Sequence, residues 1–150
     1  MQIRFKKLHP DAITPTKATD GSAGFDLYAD HVAFVVSENN KINLSLEKIT
    51  TGIAIEIPKG YVGLLIPRSS LYKKCEGEAR LTNSIGVIDS DYRGELTFVY
   101  NQSHLDQFIY NKGERCGQLI IVPCPEIELI ECDELSETTR GTGGFGSTGI

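Results

Sequence analysis

Long apolar runs, long helical periodicities and closely spaced metal ligands are all scarce in this chain of 150 residues. No stretch approaches the roughly 18 apolar residues of a membrane-spanning helix, so we expect a soluble protein that makes no membrane contact. Few segments repeat their apolar residues every 3.6 positions, so we expect little helix. Fifteen glycines, six prolines and many short β-branched runs instead indicate an all-β fold, closed as a barrel or a sandwich.

Basic charge is also in short supply, because the formal net charge is −5. A chain without a broad basic surface is poorly suited to bind duplex nucleic acid regardless of sequence, so we expect no nucleic-acid partner. Any binding of phosphate groups must therefore depend on a few local side chains.

The cysteines form no C-x-x-C pair, and the histidines lie far apart without metal-ligand spacing. We interpret Cys75, Cys116, Cys124 and Cys132 as free, mostly structural thiols, and we expect the histidines at the surface or in turns. No apolar signal segment is visible either, so we expect a reducing cytoplasm, or that of a host cell if the protein is viral.

The length suits one domain that buries a core without metal or disulfide cross-links. We predict a single domain over 1–150, with a β core over 1–139 and a flexible, glycine-rich arm over 140–150. Alternation and turn residues predict strands near 3–5, 25–29, 42–49, 52–57, 61–66, 96–100, 118–122 and 126–132, and a single helix over 72–79.

Asp26 lies between Phe25 and Leu27 in the predicted strand after the Ser22–Gly24 turn. Strand alternation places it opposite to both apolar neighbours. It is either an outward-facing polar residue, which spacing alone favours, or a carboxylate directed at a metal-bound water.

The stretch 83–95 combines an apolar run with a turn rich in carboxylates, followed at once by a β-branched and aromatic run. This order is typical of a hairpin. Asp89 directly follows Gly86-Val87-Ile88, so we expect it in an apolar environment where a carboxylate can hold and polarise a water. The alternative is that Asp89 only caps the turn through its own backbone.

Two further places carry polar groups at the end of an apolar strand. Arg68, Ser69 and Ser70 follow the predicted strand 61–66, where free N–H groups at a helix start can bind an anion, or Ser70 can act as an ordinary N-cap. Gln118 begins a fully apolar strand and needs a hydrogen-bond partner if it is buried.

The last residues contain the spacing G-x-G-x-x-G at Gly141, Gly143 and Gly146. A dinucleotide site needs a helix after these glycines, and the sequence given has too few residues for one. The composition, with one arginine, one phenylalanine and several hydroxyls, instead suits an arm that folds over a nucleotide.

Taken in order, five segments resemble the five motifs of the trimeric dUTPases, and the match spans 23–149. The segments are Ala23 to Ala29 (AGFDLYA), Pro67 to Leu71 (PRSSL), Gly86 to Glu95 (GVIDSDYRGE), Arg115 to Ile120 (RCGQLI) and Arg140 to Gly149 (RGTGGFGSTG). The resemblance implies a β-clip, or distorted jelly roll, in a homotrimer whose active sites are shared between subunits. It also implies hydrolysis of dUTP to dUMP and pyrophosphate with Mg²⁺, which limits uracil in DNA and supplies dUMP for dTMP synthesis.

Residue by residue, the resemblance implies that Asp89 orients the attacking water and that Tyr92 lies against the deoxyribose. It assigns uracil to Asn83 and the backbone of Gly86, Val87 and Ile88. It implies that Arg68, Ser69 and Ser70 contact the α- and β-phosphates. It implies that Asp26 and Gln118 contact magnesium-bound waters, and that Gln118 also contacts the phosphates. The residues implied to contact the γ-phosphate and uracil are Arg140, Phe145, Gly146, Ser147 and Thr148.

Departures from the family pattern are small. Ser70 replaces a common glycine, Gly117 replaces a usual alanine, and the connection 71–86 is about two residues longer than is common. A dCTP deaminase shares the Arg-Ser-Ser motif, but it depends on a glutamate in the strand after the third motif, and the run 96–100 has no carboxylate. A non-catalytic, partner-binding relative is a second alternative, disfavoured by the intact Asp89 and fifth motif.

Overall fold

A computed structural model describes residues 1–35, 45–102 and 107–144. These residues form nine strands and one short helix, which confirms the predicted all-β fold with little helix. In chain order the elements are β1 (Arg4–Lys7), β2 (Phe25–Tyr28), β3 (His31–Val35), β4 (Ser45–Glu56), β5 (Tyr61–Ile66), α1 (Leu71–Cys75), β6 (Arg80–Leu81), β7 (Gly86–Ile88), β8 (Glu95–Gln102) and β9 (Arg115–Pro123). No helix in these ranges is long and apolar enough to span a bilayer.

The strands form two antiparallel sheets. One has the order β1-β4-β8-β6, with β3 beside β1 on the same edge of β4, and the other has the order β2-β9-β5-β7. The strands predicted over 42–49 and 52–57 are joined in the single strand β4, while 42–44 lie outside the described residues. Gly52 interrupts the pairing of β4 with β8 at a φ of 66°, a conformation that favours glycine.

The core lies between the two sheets and follows the period of two that a half-buried strand requires. Along β8 every second side chain is buried, and Leu96, Phe98 and Tyr100 have no exposed surface. The second sheet contributes buried residues such as Leu65 and Leu119 to the same cluster.

The predicted hairpin at 83–95 does not form, and the strands on either side of the 58–60 turn do not pair with each other either. The turn at 58–60 leads from β4 in the first sheet to β5 in the second, and the turn after Ile88 leads from β7 back to β8 in the first. In both cases the flanking strands bury their apolar faces on the core from opposite sides, so they pair with other strands and not with each other.

The helix is shorter than the predicted 72–79. It begins at Leu71 and ends at Cys75, because Glu76 and Gly77 take the positive φ values 49° and 87°. The N–H of Glu78 then bonds to the Cys75 carbonyl at 2.7 Å and closes the turn.

The strand predicted over 126–132 is absent, since 124–144 contain no strand or helix. Ile127 and Leu129 are 73% and 94% exposed. The alternating pattern makes this segment amphipathic, but no strand of the described chain lies beside it to pair with it. We call residues 124–144 the tail segment.

Candidate active site

The buried carboxylate of Asp26 in β2 gathers polar side chains from β9 and from the end of β5. Oδ1 accepts hydrogen bonds from Arg68 Nε at 2.9 Å and Gln118 Nε2 at 3.1 Å, and Oδ2 accepts one from Arg115 Nη1 at 3.2 Å. Gln118 pairs with Asp26 on one side and with Ile66 on the other, so the end of β5 brings Arg68 to the carboxylate. Asp26 is 1% exposed, and the expected outward-facing position is therefore wrong.

A β-bulge in β9 puts both Arg115 and Gln118 on the face where Asp26 lies. Residues three apart in a regular strand face opposite sides of the sheet. The pairing with β2 skips Cys116, and this extra residue returns Arg115 to the side that Gln118 occupies.

Gly117 lies beside the bulge and beneath the aromatic ring of Phe98. A Cβ at this position would overlap the ring, whose side chain is fully buried. The close approach explains why glycine stands here in place of the family's usual alanine.

The segment from Arg68 to Ser70 connects β5 to the helix. Ser70 makes no capping hydrogen bond, and its Oγ instead accepts one from Arg68 Nη1 at 3.0 Å. Ser70 therefore occupies the N-cap position without capping the helix through its side chain. The Leu71 N–H is bonded to the Arg68 carbonyl at 3.0 Å, and the Arg68 guanidinium adds positive charge at this end of β5.

The third motif places Asp89 at the surface, directly after the edge strand β7. Gly86 and Ile88 face the core, where a Cβ on Gly86 would approach Leu65 at 3.0 Å, and Val87 is 61% exposed. Asp89 is exposed as well, so the expected apolar environment is wrong for the single chain. The turn continues from β7, which the core anchors, and leaves the Asp89 carboxylate accessible to solvent.

Tyr92 and Arg93 hold the turn that follows Asp89. The Tyr92 ring packs over Gly94, where a Cβ would overlap it, and its hydroxyl donates to the Glu95 carbonyl at 3.1 Å. Arg93 Nη1 donates to the carbonyls of Ser90 and Tyr92 at 2.7 and 2.8 Å. The ring keeps a fixed orientation with 43% of the residue exposed.

The structure does not bring Asp89 and the Asp26 cluster together within one chain. β7 and β2 are the two edges of the four-stranded sheet, and Ile88 pairs near the start of β5 while Arg68 follows its end. Strands about 4.8 Å apart and residues about 3.3 Å apart give a separation of roughly 20 Å.

The surroundings of Asp89 hold little free positive charge. The open cleft beside it has a volume of about 1030 Å³ and contains further carboxylates from Glu56, Asp91 and Glu126. Its lysine, Lys59, is paired with Glu126 at 3.0 Å, and Arg93 is used within the turn.

The other predicted contacts take no part in the hydrogen bonds of the Asp26 cluster. Asn83 and Ser69 are exposed, and Arg140 Nε donates to the carbonyl of its neighbour Gly143 at 2.9 Å. The predicted arm residues Phe145, Gly146, Ser147 and Thr148 lie outside the described residues.

The surroundings of Asp26 leave little room for the predicted metal-bound water. Asp26 accepts three hydrogen bonds, two of them from guanidinium groups, and it has almost no exposed surface for a metal-bound water. In the described ranges no three histidine, cysteine or carboxylate groups come together in a way that could hold a metal ion.

The sequence did not lead us to expect one buried acid. Glu47 in β4 is fully buried, and its carboxylate accepts hydrogen bonds from the N–H groups of Ile109 and Tyr110 at 2.7 and 3.1 Å and from Gln102 Nε2 at 3.2 Å. Burial raises the pKa of Glu47, while these N–H groups and the charge of Lys74 oppose the shift. Glu47 has the same strand parity as Ile49 but the opposite parity to Leu46, so the sequence pattern alone did not mark it as buried.

This two-sheet β protein presents an accessible aspartate on one turn and a separate cluster of arginines. Such groups suit a protein that binds and hydrolyses phosphate esters. The family model for dUTPase matches residues 11–149. A curated relative, the deoxyuridine 5'-triphosphate nucleotidohydrolase of Hydrogenobaculum sp., is 43% identical over all of this chain and 99% of its own. The chain therefore belongs to the dUTPase family.

Solved structures agree with this assignment. A mutant of the Staphylococcus bacteriophage 80alpha dUTPase with dUpNHpp matches with a TM-score of 0.82 at 28% identity, over 99% of both chains. The fold is that of the dUTPase jelly rolls. A mutant dUTPase of phage phi11 of S. aureus, described with a structural Mg(II) ion, matches with a TM-score of 0.72 at 24% identity, over 89% of this chain and 98% of that one.

Proposed function

We propose that this protein hydrolyses dUTP to dUMP and pyrophosphate, with Asp89 as the group that orients and deprotonates the attacking water. The observation that carries the proposal is the accessible Asp89 carboxylate, held at the end of β7 in a chain of the dUTPase family. The water oxygen forms a bond to the α-phosphorus, its proton passes to Asp89, and the bridging oxygen leaves with pyrophosphate.

Recognition of uracil fits the edge strand β7. This strand pairs only with β5 among the described residues, so the other edge of its backbone can offer N–H and C=O groups to a pyrimidine. Gly86 and Ile88 are anchored in the core, and such a rigid wall is needed because one methyl group in a loose pocket changes binding by only about 1–3 kcal/mol. Tyr92, with its fixed ring, lies against the deoxyribose.

Magnesium enters as part of the substrate, bound by triphosphate oxygens and water. A hard cation that keeps most of its water shell needs no compact set of protein ligands, which agrees with the lack of such a set in the described ranges. The positive charge that the chain itself supplies comes from Arg68 and its neighbours.

The active unit is a homotrimer in which Asp89 of one subunit works with the Arg68 cluster of another. Within one chain the two groups are roughly 20 Å apart, far more than the few ångströms between a nucleophilic water and the phosphates it attacks. The exposed apolar side chains of the tail segment, among them Ile127 and Leu129, support assembly with further copies.

A complementation experiment tests the shared site. Asp89→Asn and Arg68→Gln are each expected to be inactive alone. Chains of the two variants that are unfolded and refolded together should regain activity in about a quarter of the sites, because random mixing pairs an intact Asp89 with an intact Arg68 at that frequency. If each site lay within one chain, every site in the mixture would carry a defect and no activity would return.

The activity itself is tested with a panel of deoxynucleoside triphosphates and Mg²⁺, in which monophosphate, pyrophosphate and ammonia are resolved. We expect dUMP and pyrophosphate from dUTP and no ammonia from dCTP. A dCTP deaminase would need a glutamate in β8. This strand begins one residue before the predicted run and so includes Glu95. Glu95 Oε1, however, accepts the Gly52 N–H at 2.6 Å and is engaged at the bulge of β4. Release of ammonia from dCTP would instead assign the chain to the deaminases.

All four cysteines are free, and two of them, Cys124 and Cys132, are exposed. Exposed thiols persist in a reducing compartment, which supports a cytoplasmic location.

A further inference from the structure

Gly52 forms a bulge in β4, where the pairing with β8 is out of register between Thr50 and Ala54. It takes a φ of 66°, and a Cβ here would lie 2.7 Å from the Cβ of Ala12 and 2.8 Å from His9 Nε2. The position therefore requires glycine, and the chain around it is closely packed.

Both backbone groups of Gly52 bond to other parts of the chain. Its carbonyl accepts the N–H of Leu8 at 2.8 Å, and its N–H donates to Glu95 Oε1 at 2.6 Å. The second distance is at the short end for an N–H···O bond, as expected where the acceptor is a carboxylate. Gly52 is buried, so this carboxylate replaces the ladder partner that the bulge takes away.

Glu95 joins this bulge to the turn that carries Tyr92. Its side chain is fixed to Gly52, while its own carbonyl accepts the Tyr92 hydroxyl at 3.1 Å. The Tyr92 ring also packs over Gly94, where a Cβ would overlap it. The position of the ring therefore follows the backbone at 94–95, and the Glu95 carboxylate holds that backbone against β4.

Selection between deoxyribose and ribose depends on how firmly this ring is held. The two sugars differ by one hydroxyl group, and a pocket that can yield discriminates poorly against one added small group. A misplacement of about 1 Å is enough to change catalysis. A ring that keeps its place blocks the extra hydroxyl, whereas a ring that can retreat admits it.

We propose that Glu95 is a positioning residue for sugar selection: it fixes the turn 89–94 to the Gly52 bulge and so holds the Tyr92 ring where a ribose 2′-hydroxyl would lie. The link runs from the carboxylate through the Glu95 backbone to the Tyr92 hydroxyl. In this role Glu95 does not contact the substrate. The part in sugar selection rests on the proposed function, while the anchoring of the turn does not.

Glu95→Ala removes the anchor, and the readout is the ratio of kcat/KM for UTP to kcat/KM for dUTP with Mg²⁺. We expect this ratio to rise about tenfold, the lower end of the discrimination that one small group supplies. Glu95→Gln keeps a side-chain oxygen that can accept the Gly52 N–H, so its ratio should lie within about twofold of the wild-type value. An unchanged ratio in Glu95→Ala would overturn the role.

Ile49→Val is the matched control. Ile49 is fully buried in β4 three residues before Gly52, so the smaller side chain lowers stability without touching either hydrogen bond of Glu95. A variant that is only less stable has fewer folded molecules, which lowers the turnover of both substrates by the same factor and leaves the ratio unchanged. An equal rise of the ratio in Ile49→Val would attribute the effect to stability and overturn the positioning role.

Tyr92→Phe tests the second half of the link. It keeps the ring but removes the hydroxyl that donates to the Glu95 carbonyl, so the ratio should rise here as well. In the Tyr92→Phe background Glu95→Ala should add little, because the link is already broken. An unchanged ratio in Tyr92→Phe, or effects of the two variants that multiply fully, would overturn the link. Tyr92→Phe also decides the matter should Glu95→Ala fail to fold, as judged by circular dichroism.

Amide hydrogen exchange at Gly52 separates this inference from the proposed function, since it needs no substrate. The Gly52 N–H should be protected in the wild type and in Glu95→Gln, and it should exchange faster in Glu95→Ala. If the protein fails to hydrolyse dUTP but Gly52 shows this pattern, the proposed function and the part in sugar selection fall and the anchoring stands. If dUTP is hydrolysed normally and neither the exchange nor the ratio responds to Glu95→Ala, the inference falls alone.

Discussion

Asp89 and Asp26 show how the surroundings of a single residue decide what a carboxylate can do. The Asp89 side chain is exposed and has no hydrogen-bond or ion-pair partner among the described residues, so it can receive a proton from water. Asp26 is 1% exposed and committed to two arginines, so its charge serves to orient them. The same side chain is therefore accessible in one place, where we propose a base, and committed to two guanidinium groups in the other.

Asp89→Asn should lower kcat for dUTP by about 100-fold or more, in line with the loss of a general base. The amide keeps the size of the carboxylate and the path of the turn, so the affinity for a non-hydrolysable analogue should change little. Steady-state kinetics and calorimetry measure the two effects separately. A kcat within about tenfold of the wild-type value would remove Asp89 from the proton transfer.

Glu47 gives the molecule a pH-dependent stability. A carboxyl whose pKa is raised by burial binds its proton more tightly in the folded chain than in the unfolded one. The stabilising contribution is complete below the unfolded pKa of about 4.3 and is lost as the pH rises through the folded pKa.

Urea unfolding at several pH values checks this dependence. The free energy of unfolding of the wild type should fall more steeply above about pH 4.3 than that of Glu47→Gln, which cannot titrate. Glu56→Gln is the matched control, because Glu56 is a partly exposed glutamate at the other end of β4. Parallel curves for the wild type and Glu47→Gln would contradict the buried, titrating carboxyl.

Sequence motifs predicted a set of site residues but not the surroundings of those residues. Gln118 was expected to need a partner, and it has one in Asp26. The burial of Asp26 and the exposure of Asp89 could not be foreseen, because both depend on which strands lie beside β2 and β7. These neighbours come from distant parts of the chain and leave no local pattern.

Among the elements, β9 and its bulge determine which side chains meet. A one-residue shift in pairing moves the side chains on one side of the shift to the other face of the sheet. Because the pairing with β2 skips Cys116, Arg115 lies on the face of Asp26 and reaches its carboxylate. The sequence alone does not reveal this shift, since alternation is ambiguous in the apolar run that follows. The same limit applies to the turns at 58–60 and after Ile88, which connect the two sheets.

Gly117→Ala tests how tightly the bulge packs on β8. The added Cβ overlaps the Phe98 ring, so we expect the variant to lose about 1–3 kcal/mol of unfolding free energy. In the Phe98→Leu background the same substitution should cost less, because the smaller side chain leaves space for the methyl group. Denaturant unfolding of the two single variants and the double variant measures the difference, and equal costs in both backgrounds would rule out the clash.

On the scale of the whole molecule, the described chain leaves one apolar segment without cover. The sheets end at Pro123, and in the tail segment four large apolar side chains are 73–94% exposed: Ile127, Leu129, Ile130 and Leu135. Burying one such side chain contributes about 1.5–3 kcal/mol, so covering all four would supply much of the free energy of an assembly. The roughly 20 Å between the two halves of the site points to the same need for a second copy.

Two truncations separate assembly from catalysis. Ending the chain after Cys124 removes the exposed apolar residues and should yield monomers without dUTPase activity, since Asp89 and Arg68 then have no partner subunit. Ending it after Thr139 retains those residues and should leave a trimer, while the loss of Arg140 and the fifth motif lowers activity. Light scattering coupled to size exclusion measures the mass of each. A trimer formed by the shorter chain would show that the tail segment does not hold the subunits together, and would leave the contact between the sheets of neighbouring copies as the source of assembly.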